Sequence, residues 1–312
     1  MYIGVDLGGT NIAVGLVDDN GKILHSASVP TLKERDWREI VRDMGELSLR
    51  VVKEAGFTLS QIKGVGIGCP GTIDNERGMV VYSNNIVMEN VPLAEEFRKY
   101  VDLPVNLEND ANAAAYGEFF TCGDGIDSFV FITLGTGVGG GIVLNGKLWR
   151  GFNGAGAEIG HQTLIYGGKL CTCGRKGCLE SYASVTALIS QTEEAIAAHP
   201  ESMMKKWLDE KGRVTGRTAF DCAAKGDPAA IAVRDQYIEY VAEGICSIVN
   251  VLQPQVLAIG GGISREGETL LGPIRAYFEK NDFNKFMPKT DIRIATLFGD
   301  AGIVGAAMAA KA

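Results

Sequence analysis

The fold of this chain is decided by residues 3–24, IGVDLGGTNIAVGLVDDNGKIL. Apolar runs separated by a Gly-Gly turn and an Asp-Asn-Gly turn predict three strands joined as consecutive hairpins. Residues 129–149, FVFITLGTGVGGGIVLNGKLW, repeat this order and spacing, with a glycine turn followed by an Asn-Gly turn. We interpret the second stretch as an internal duplication of the first, so two related halves are expected.

Outside the two hairpins, strand patterns alternate with helical patterns. Each half opens with a glycine hairpin, and this alternation predicts an α/β fold of two domains that face each other across a cleft. A weak change of composition near residues 118–127 gives the boundary between a small domain (1–118 plus 298–312) and a large one (119–297). In the first half the pattern predicts helices over 37–55, 93–100 and 111–120, strands over 62–71 and 104–110, and a loop between 71 and 93. In the second half it predicts a helix-rich region over 180–253, followed by strands over 256–262 and 292–297 with a helix between them. A closing helix is predicted from residue 301.

Composition limits the classes of function. The chain has 312 residues and a formal net charge of −8, which would repel a nucleic-acid backbone or an anionic membrane surface. It has no apolar run of about 18 residues that could span a bilayer. Its first residues, MYIGVDLGGT, lack the basic and apolar segments of a signal peptide. We therefore expect a cytoplasmic enzyme that binds neither nucleic acid nor membrane.

Glycine is concentrated in short runs that follow apolar strands. Such loops turn backbone N–H groups inward and let an anion approach closely. Two matched hairpins and a third run, LAIGGGI, favour nucleotide phosphates over simple tight turns. Two G-x-G-x-x-G matches, starting at Gly66 and Gly135, are not dinucleotide fingerprints because no helix follows either. The sequence has no P-loop motif, and the flap-like loop at 134–142 lacks the other protein-kinase motifs.

Asp110 lies at a predicted strand-to-helix junction in ENDANAAAYGE, residues 108–118. Ligands of α/β proteins bind at the carboxyl ends of strands. Two roles fit this position: the N-cap of the helix, or a general base that takes the proton from a hydroxyl attacking a γ-phosphoryl group. Asp6, before the first Gly-Gly pair, is expected either near an Mg²⁺ ion or as a brace of the glycine loop.

Cysteine is distributed unevenly. Three of the seven cysteines lie close in sequence to one histidine, and the four candidate ligands are His161, Cys171, Cys173 and Cys178. Three thiolates and an imidazole form the ligand set of a structural zinc site, whereas the alternative is three cysteines packed as small apolar residues. The surrounding Gly, Arg and Lys residues offer no core, so zinc is favoured. Glu158 and Glu180 flank the cluster, and a fixed carboxylate there could accept sugar hydroxyls.

These motifs resemble those of the ROK family (repressors, open reading frames and kinases), in its glucokinase branch, over essentially the full chain. The cysteine motif with its flanking His and Glu is the most specific. The resemblance implies a two-domain, actin-like (ribonuclease H-like) ATPase fold and phosphorylation of glucose at O6 by ATP with Mg²⁺. The motifs that carry it are DLGGTN, ENDANAAAYGE, LGTGVGGGI, AEIGHQ, CTCGRKGCLESYAS and LAIGGGI.

The resemblance also implies roles for individual residues. Asp110 would be the base toward the sugar O6. His161 would bind zinc through one ring nitrogen and a sugar hydroxyl through the other. The other residues implied to hold sugar hydroxyls are Asn85, Asn109, Glu158 and Glu180. The residues implied to line the phosphates are Gly8, Gly9, Thr10, Thr136 and Gly137, with Gly261 and Gly262 near the adenosine.

The chain departs from the family pattern at two positions. Many members have Lys where this chain has Asn11, so a phosphate contact there is not carried over. Members often have Trp at the position of Met88, which affects the expected pocket wall. Neither departure involves Asp110 or the cysteine motif.

Several alternatives remain open at the level of sequence. The acceptor could be fructose, N-acetylglucosamine, N-acetylmannosamine or allose, although residues 214–227, VTGRTAFDCAAKGD, resemble the glucokinase branch. ATP and polyphosphate both occur as donors in the family. The family also contains sugar-binding repressors, but no DNA-binding element is evident in this acidic chain. A non-enzymatic sugar sensor is a further alternative, and the family suggests a homodimer or homotetramer.

Overall fold

The structure, a computed structural model, describes residues 1–83 and 86–311. Its strands are β1 (Tyr2–Leu7), β2 (Asn11–Val17), β3 (Ile23–Pro30), β4 (Val65–Cys69), β5 (Thr72–Asp74), β6 (Met79–Ser83), β7 (Met88–Val91), β8 (Val105–Asn109), β9 (Phe129–Leu134), β10 (Val138–Leu144), β11 (Lys147–Trp149), β12 (Val256–Gly260) and β13 (Asp291–Ile294). Its α-helices are α1 (Trp37–Glu54), α2 (Leu93–Arg98), α3 (Asp110–Phe120), α4 (Glu180–Ala183), α5 (Val185–Ala198), α6 (Met203–Lys211), α7 (Thr218–Ala223), α8 (Pro228–Leu252), α9 (Glu268–Asn281) and α10 (Ala301–Ala309). Short 3₁₀ helices lie at Leu59–Gln61, Ile159–His161, Gly262–Glu266 and Phe298–Asp300.

Two five-stranded sheets share one topology. Their strand orders are β3-β2-β1-β4-β8 and β11-β10-β9-β12-β13, so each consists of a three-stranded meander followed by two further strands. In the first sheet β1 pairs antiparallel with β2 and parallel with β4, which in turn pairs parallel with β8. In the second, β10 and β11 are antiparallel and β12 and β13 are parallel. The repeat in the sequence therefore marks a repeat of the whole sheet, beyond the hairpin that revealed it.

Packing divides the described chain into two compact units. The first comprises Met1–Phe131, Gly141–Ala157 and Thr296–Ala312, and the second comprises Ile132–Gly140 and Glu158–Ala295. Residues 141–157 belong to the first unit because β10 lies against α3, with Gly141 close to the side chain of Ala115. The predicted domains, 1–118 plus 298–312 and 119–297, remain a proposal about the functional division of the chain.

The helices follow from their sequence patterns. Helix α1 begins after Asp36, whose carboxylate accepts a hydrogen bond from Arg38 N, and it buries the apolar stripe that predicted it. Helix α8 begins with Pro228 after Asp227, whose side chain accepts from Ala229 N and Ala230 N. Among residues 1–83 and 86–311, no helix is long and apolar enough to cross a membrane.

The glycine run at residues 64–71 serves close packing. Helix α10 lies on β1 and β4, and a Cβ at Gly4 or Gly66 would collide with the carbonyl groups of Ile303 and Ala306. Glycine removes the side chain and lets the helix backbone approach the sheet. Strand β4 is followed by strand β5 and not by a helix, which agrees with the rejection of a dinucleotide-binding motif starting at Gly66.

The segment between residues 71 and 93 was predicted as a loop, and this prediction was wrong. The segment contains a three-stranded antiparallel sheet in the order β5-β6-β7. Its strands are 3, 5 and 4 residues long, too short to show a clear alternation of apolar and polar residues. The buried side chains of Ile73, Val80 and Val91 belong to the hydrophobic core of the first unit, so this small sheet packs against the rest of that unit.

Candidate active site

Parallel strands of the first unit end at one edge of their sheet. Asp6 of β1 pairs in register with Gly68 of β4, and Gly68 pairs with Glu108 of β8. The loops that follow β1 and β4 therefore begin at the same edge as Asp110, which follows β8. Gly68 lacks a side chain where a Cβ would lie 3.8 Å from the Cα of Asp110. Ligand groups of α/β proteins collect at such an edge.

Helix α3 is capped by Asn109. Its Oδ1 accepts hydrogen bonds from Ala111 N (3.0 Å) and Asn112 N (3.2 Å), and its Nδ2 donates to the carbonyl of Gly71 at 3.1 Å. The cap role weighed for Asp110 therefore falls on the preceding residue. The Asp110 carboxylate accepts a hydrogen bond from Ala111 N at 2.9 Å. Because Asn109 caps the helix, the Asp110 carboxylate is not needed for that role.

Electrostatics distinguish Asp110 and Asp6 from the other carboxylates of this edge. Burial raises the pKa of Asp110, and hydrogen bonds from Ala111 N, from its own backbone N–H and from the Asn109 side chain oppose the rise only in part. Burial, followed by the negative charge of Asp110, raises the pKa of Asp6 to about 6. A carboxylate with a raised pKa is a better proton acceptor near neutral pH than an exposed one. Two such carboxylates at one edge also attract a divalent cation.

The loop after β1 is closed by its own backbone. Gly8 N donates to Asn11 O at 3.0 Å, Thr31 Oγ1 donates to Gly8 O at 2.6 Å, and Thr31 N donates to Thr10 O at 2.9 Å. A Cβ at Gly9 would meet no atom within 4 Å, so the loop has open space on that side. These features suit an anion-binding loop.

Both departures from the family pattern lie in the first unit. Asn11 is exposed at the start of β2. Met88 is 1% exposed and belongs to the apolar core of this unit.

In the second unit, the loop between β9 and β10 holds the predicted phosphate contacts. Gly135 N donates to Gly137 O at 3.0 Å, and Thr136 is exposed. The run after β12 meets the end of β9, because Gly261, at φ +86°, would place a Cβ against the backbone of Leu134. Gly262 is exposed and has open space around it. The structure thus brings the two glycine runs of this unit together.

The cysteine motif forms a compact donor cluster. One ligand atom from each of His161, Cys171, Cys173 and Cys178 lies within 4.8 Å of all the others. The Sγ atoms of Cys173 and Cys178 are 3.7 Å apart, and His161 Nδ1 is 3.6 Å from Cys171 Sγ. Tetrahedral zinc with Zn–S of about 2.3 Å and Zn–N of about 2.0 Å requires ligand separations of about 3.5–3.8 Å. The four residues fit zinc.

The surrounding loop holds these ligands in place. Arg175 donates through Nη1 to His161 O and through Nη2 to Thr163 Oγ1, each at 3.1 Å. Desolvation, followed by its thiol neighbours, raises the pKa of Cys178 to about 12. Metal binding must therefore displace a firmly held proton at Cys178. His161 faces Cys171 with Nδ1, which leaves Nε2 for another partner.

A protein-family model described as the ROK family matches residues 2–312. The chain belongs to the ROK family. The glucokinase of Thermotoga maritima is 40% identical over 313 residues, covering 99% of this chain and 96% of that protein. A ROK family glucokinase from Streptomyces griseus, solved in complex with glucose and AMPPNP, matches with a TM-score of 0.82 and 37% identity, covering 99% of both chains. A xylose repressor of Caldicellulosiruptor bescii is 30% identical over 97% of this chain and 76% of the repressor.

The comparisons confirm the family and the fold class predicted from the motifs. The ROK sugar kinases that this structure matches have the actin-like ATPase fold. The mixed α/β architecture with its repeated sheets agrees with that fold.

The predicted site residues of this ROK protein fall in both units. Asp6, Gly8, Gly9, Thr10, Asn109 and Asp110 lie in the first, and Thr136, Gly137, Glu158, His161, Glu180, Gly261 and Gly262 lie in the second together with the three cysteine ligands. In the first unit Asp6, Asp110 and the loop of Gly8–Thr10 lie at one sheet edge, and in the second the two glycine runs meet. Glu158 is exposed at the start of the 3₁₀ helix that carries His161. Asn85 lies outside the described residues.

The sequence did not predict an ion pair between Glu108, two residues before Asp110, and Arg150. Glu108 is 1% exposed, and its Oε2 accepts from Arg150 Nε at 2.7 Å and Nη2 at 2.6 Å. Its Oε1 accepts from Asn109 N at 3.1 Å and Asn112 Nδ2 at 3.3 Å. The pair therefore fixes the backbone on which Asp110 stands. Nothing in the sequence signals this pair, because Glu108 lies beside the polar residues Asn109 and Asp110 and Arg150 is 42 residues away.

Proposed function

We propose that this ROK protein is a glucokinase, which transfers the γ-phosphoryl group of ATP to O6 of glucose. The observation that carries the proposal is Asp110. It is a carboxylate with a raised pKa at the carboxyl edge of a parallel sheet, it is relieved of helix capping by Asn109, and it shares that edge with the loop of Gly8–Thr10. The identity to glucokinases, 40% for the relative from Thermotoga maritima, supports the same activity.

In the proposed reaction Asp110 accepts the proton of the O6 hydroxyl as that oxygen attacks the γ-phosphorus, and the bond to the β-phosphate oxygen breaks to release ADP. The N–H groups of Gly8–Thr10 and of residues 136–137 stabilise phosphate charge. Asp6 would lie near Mg²⁺, which would supply positive charge against the triphosphate when bound. Asn85, Asn109, Glu158, His161 and Glu180 are proposed to bind the sugar hydroxyls.

Zinc is proposed as a structural component. His161, Cys171, Cys173 and Cys178 would hold it, and the ion would fix the loop without taking part in the reaction. His161 would then present Nε2 to a sugar hydroxyl, because metal ligation at Nδ1 fixes the ring and its tautomer. A cytoplasmic location and a homodimeric or homotetrameric assembly stay predictions.

The test is steady-state phosphorylation of a hexose panel with Mg-ATP, comparing wild type, Asp110→Asn and the matched control Asp102→Asn, which alters an exposed carboxylate. Loss of a general base predicts a kcat about 10²–10⁴-fold lower for Asp110→Asn. Glucose affinity, measured by calorimetry, should change little, because the amide keeps the size and polarity of the carboxylate. Asp102→Asn should resemble wild type.

The remaining outcomes separate the alternatives. Higher kcat/KM for fructose, N-acetylglucosamine, N-acetylmannosamine or allose would keep the mechanism and change the substrate. Turnover with polyphosphate alone would change the donor. Sugar binding without turnover by either donor would contradict the kinase and favour a sensor. Full activity of Asp110→Asn would contradict the role of the base.

A further inference from the structure

The segment that follows the cysteine motif holds the phosphate loop of the second unit. Three hydrogen bonds join them: Val138 N donates to Glu180 Oε2 at 3.0 Å, Val185 N donates to Gly135 O at 2.8 Å, and Thr186 Oγ1 donates to Thr136 O at 2.7 Å. Each residue of the loop from 135 to 138 except Gly137 is bonded to this segment through its backbone. The position of the loop therefore depends on residues 180–186.

Glu180 approaches the loop most closely. A Cβ at Gly137 would collide with Glu180 Oε2, so glycine is required there for the carboxylate to reach Val138 N. This close fit means that a rotation of the Glu180 side chain would change the space occupied beside Gly137. The N–H groups of this loop are the ones proposed to bind phosphate.

The same carboxylate is bonded to the cysteine motif. Glu180 Oε1 accepts a hydrogen bond from Thr172 Oγ1 at 3.0 Å and a longer one from Cys171 Sγ at 3.6 Å. Thr172 stands between the candidate ligands Cys171 and Cys173, so the shorter bond comes from within the cluster. Cys178, another candidate ligand, precedes Glu180 by two residues. Glu180 thus accepts from the metal loop with one oxygen and from the phosphate loop with the other.

We propose that Glu180 is a positioning residue that makes nucleotide binding depend on the state of the Cys₃His site. With the four ligands held by a metal ion, Thr172 has a fixed position and keeps Glu180 turned toward Val138 N. Without the ion, residues 171–178 lose that restraint, Glu180 gains rotational freedom, and the N–H groups of residues 136–137, which precede the bonded Val138, are less well ordered for phosphate. The nature of the anion rests on the proposed function, whereas the coupling rests on the contacts of Glu180.

The coupling is tested by binding of AMPPNP with Mg²⁺, in the absence of sugar, to zinc-loaded and chelator-treated protein, with zinc content measured for every sample. Thr172→Val removes the hydrogen bond to Glu180 and keeps all four candidate ligands. Loss of one such bond should raise the Kd of the zinc-loaded protein about 3- to 10-fold. Thr172→Ser keeps a hydroxyl group at this position and should have the wild-type Kd. The control is Ser190→Ala, which removes an exposed hydroxyl of α5 that contacts Glu194 instead.

A cycle with Glu180→Ala separates coupling from simple damage to the loop. Removal of zinc should raise the Kd of wild type about 3- to 10-fold and should leave the Kd of Glu180→Ala unchanged, since the connecting side chain is already gone. If Thr172→Val retains less zinc than wild type, the comparison of wild type with Glu180→Ala still tests the coupling. Equal effects of zinc removal in wild type and Glu180→Ala would overturn the proposal, as would an unchanged Kd in zinc-loaded Thr172→Val.

Failure of the proposed function has a different signature. Zinc-dependent binding of AMPPNP by a protein that phosphorylates no hexose would contradict the kinase and leave the coupling standing. If the protein phosphorylates glucose but its affinity for AMPPNP does not depend on zinc, the kinase proposal stands and the coupling is contradicted.

Discussion

Asp6 is half-buried near the end of β1, and ionisation of its carboxyl group is less favourable in the folded protein than in the unfolded chain. Its pKa rises from 3.8 to about 6. Between these values the folded state binds a proton that the unfolded state has released, so the free energy of unfolding falls as the pH rises through this range. In the absence of Mg²⁺, Asp6→Asn should therefore be more stable than wild type at pH 7, by about 1–3 kcal/mol, and the two should converge near pH 4.

Urea denaturation of both proteins at several pH values measures this difference. Asp18→Asn, at a partly buried carboxylate outside the site, serves as the control and should follow wild type. Mg²⁺ should stabilise wild type more than Asp6→Asn if Asp6 lies near the ion. Parallel pH curves for wild type and Asp6→Asn would contradict the burial of a charge at this position.

At the scale of residues, sequence identified the chemistry and not the supporting contacts. Asp110 was found because carboxylates at strand ends bind ligands, but its two candidate roles were separated only when Asn109 proved to be the cap. The ion pair of Glu108 with Arg150 spans 42 residues, and no local pattern connects residues so far apart. The cysteine ligands lie within a short segment, so their spacing alone predicted the cluster that the structure contains.

At the scale of elements, Glu118 joins α3 to the segment that enters α10. This buried carboxylate accepts from Thr296 N at 2.8 Å, Thr296 Oγ1 at 3.1 Å and Leu297 N at 2.7 Å. Glu118→Ala leaves two backbone N–H groups without that acceptor, and an unsatisfied buried donor costs about 1–3 kcal/mol. We expect a loss of stability of about 2–4 kcal/mol, measured by urea denaturation.

Glu193→Ala is the control, because Glu193 is an exposed residue of α5. It should change stability by less than about 0.5 kcal/mol. Glu118→Gln, which keeps one acceptor oxygen, should fall between wild type and Glu118→Ala. A Glu118→Ala protein as stable as wild type would show that water or another group replaces the carboxylate.

The elements themselves were largely predictable. Helix α1 was expected over 37–55 and spans Trp37–Glu54, because its apolar stripe has a clear helical period. The small sheet of β5, β6 and β7 was missed because strands of 3 to 5 residues carry too little pattern. The sequence shows that glycine is concentrated at residues 64–71, but only the structure shows that Gly66 packs against the backbone of α10.

At the scale of the whole molecule, the duplicated hairpin predicted two related halves, and the structure adds that the two five-stranded sheets have the same strand order. The repeated hairpin is visible in the sequence because strand pattern and turn chemistry are local properties, whereas the pairing of β1 with β4 is long-range and is seen only in the structure. The division into compact units does not follow in the same way. It depends on contacts such as that of Gly141 with Ala115, which assign residues 141–157 to the first unit and cannot be deduced from a change of composition.

The second unit contains a segment whose order should depend on metal. Between His161 and Glu180, large apolar side chains such as Tyr166 and Leu170 are 98% and 70% exposed, so little core stabilises the loop. A metal site can supply the missing folding free energy. We predict that chelation accelerates tryptic cleavage after Lys169, Arg175 and Lys176, all of which are exposed, by at least about tenfold, because local opening exposes the chain to protease.

Mass spectrometry of the early fragments checks this prediction, since cleavage within the first unit should keep its original rate. Added Zn²⁺ should restore protection of the loop, and Cys246→Ser, which alters a buried cysteine outside the motif, should behave as wild type. Equal cleavage rates with and without chelator would mean that hydrogen bonds such as those of Arg175 suffice to order the loop. In that case the close approach of the four ligand atoms would reflect the fold of the loop alone, and the coupling through Glu180 would lose its cause.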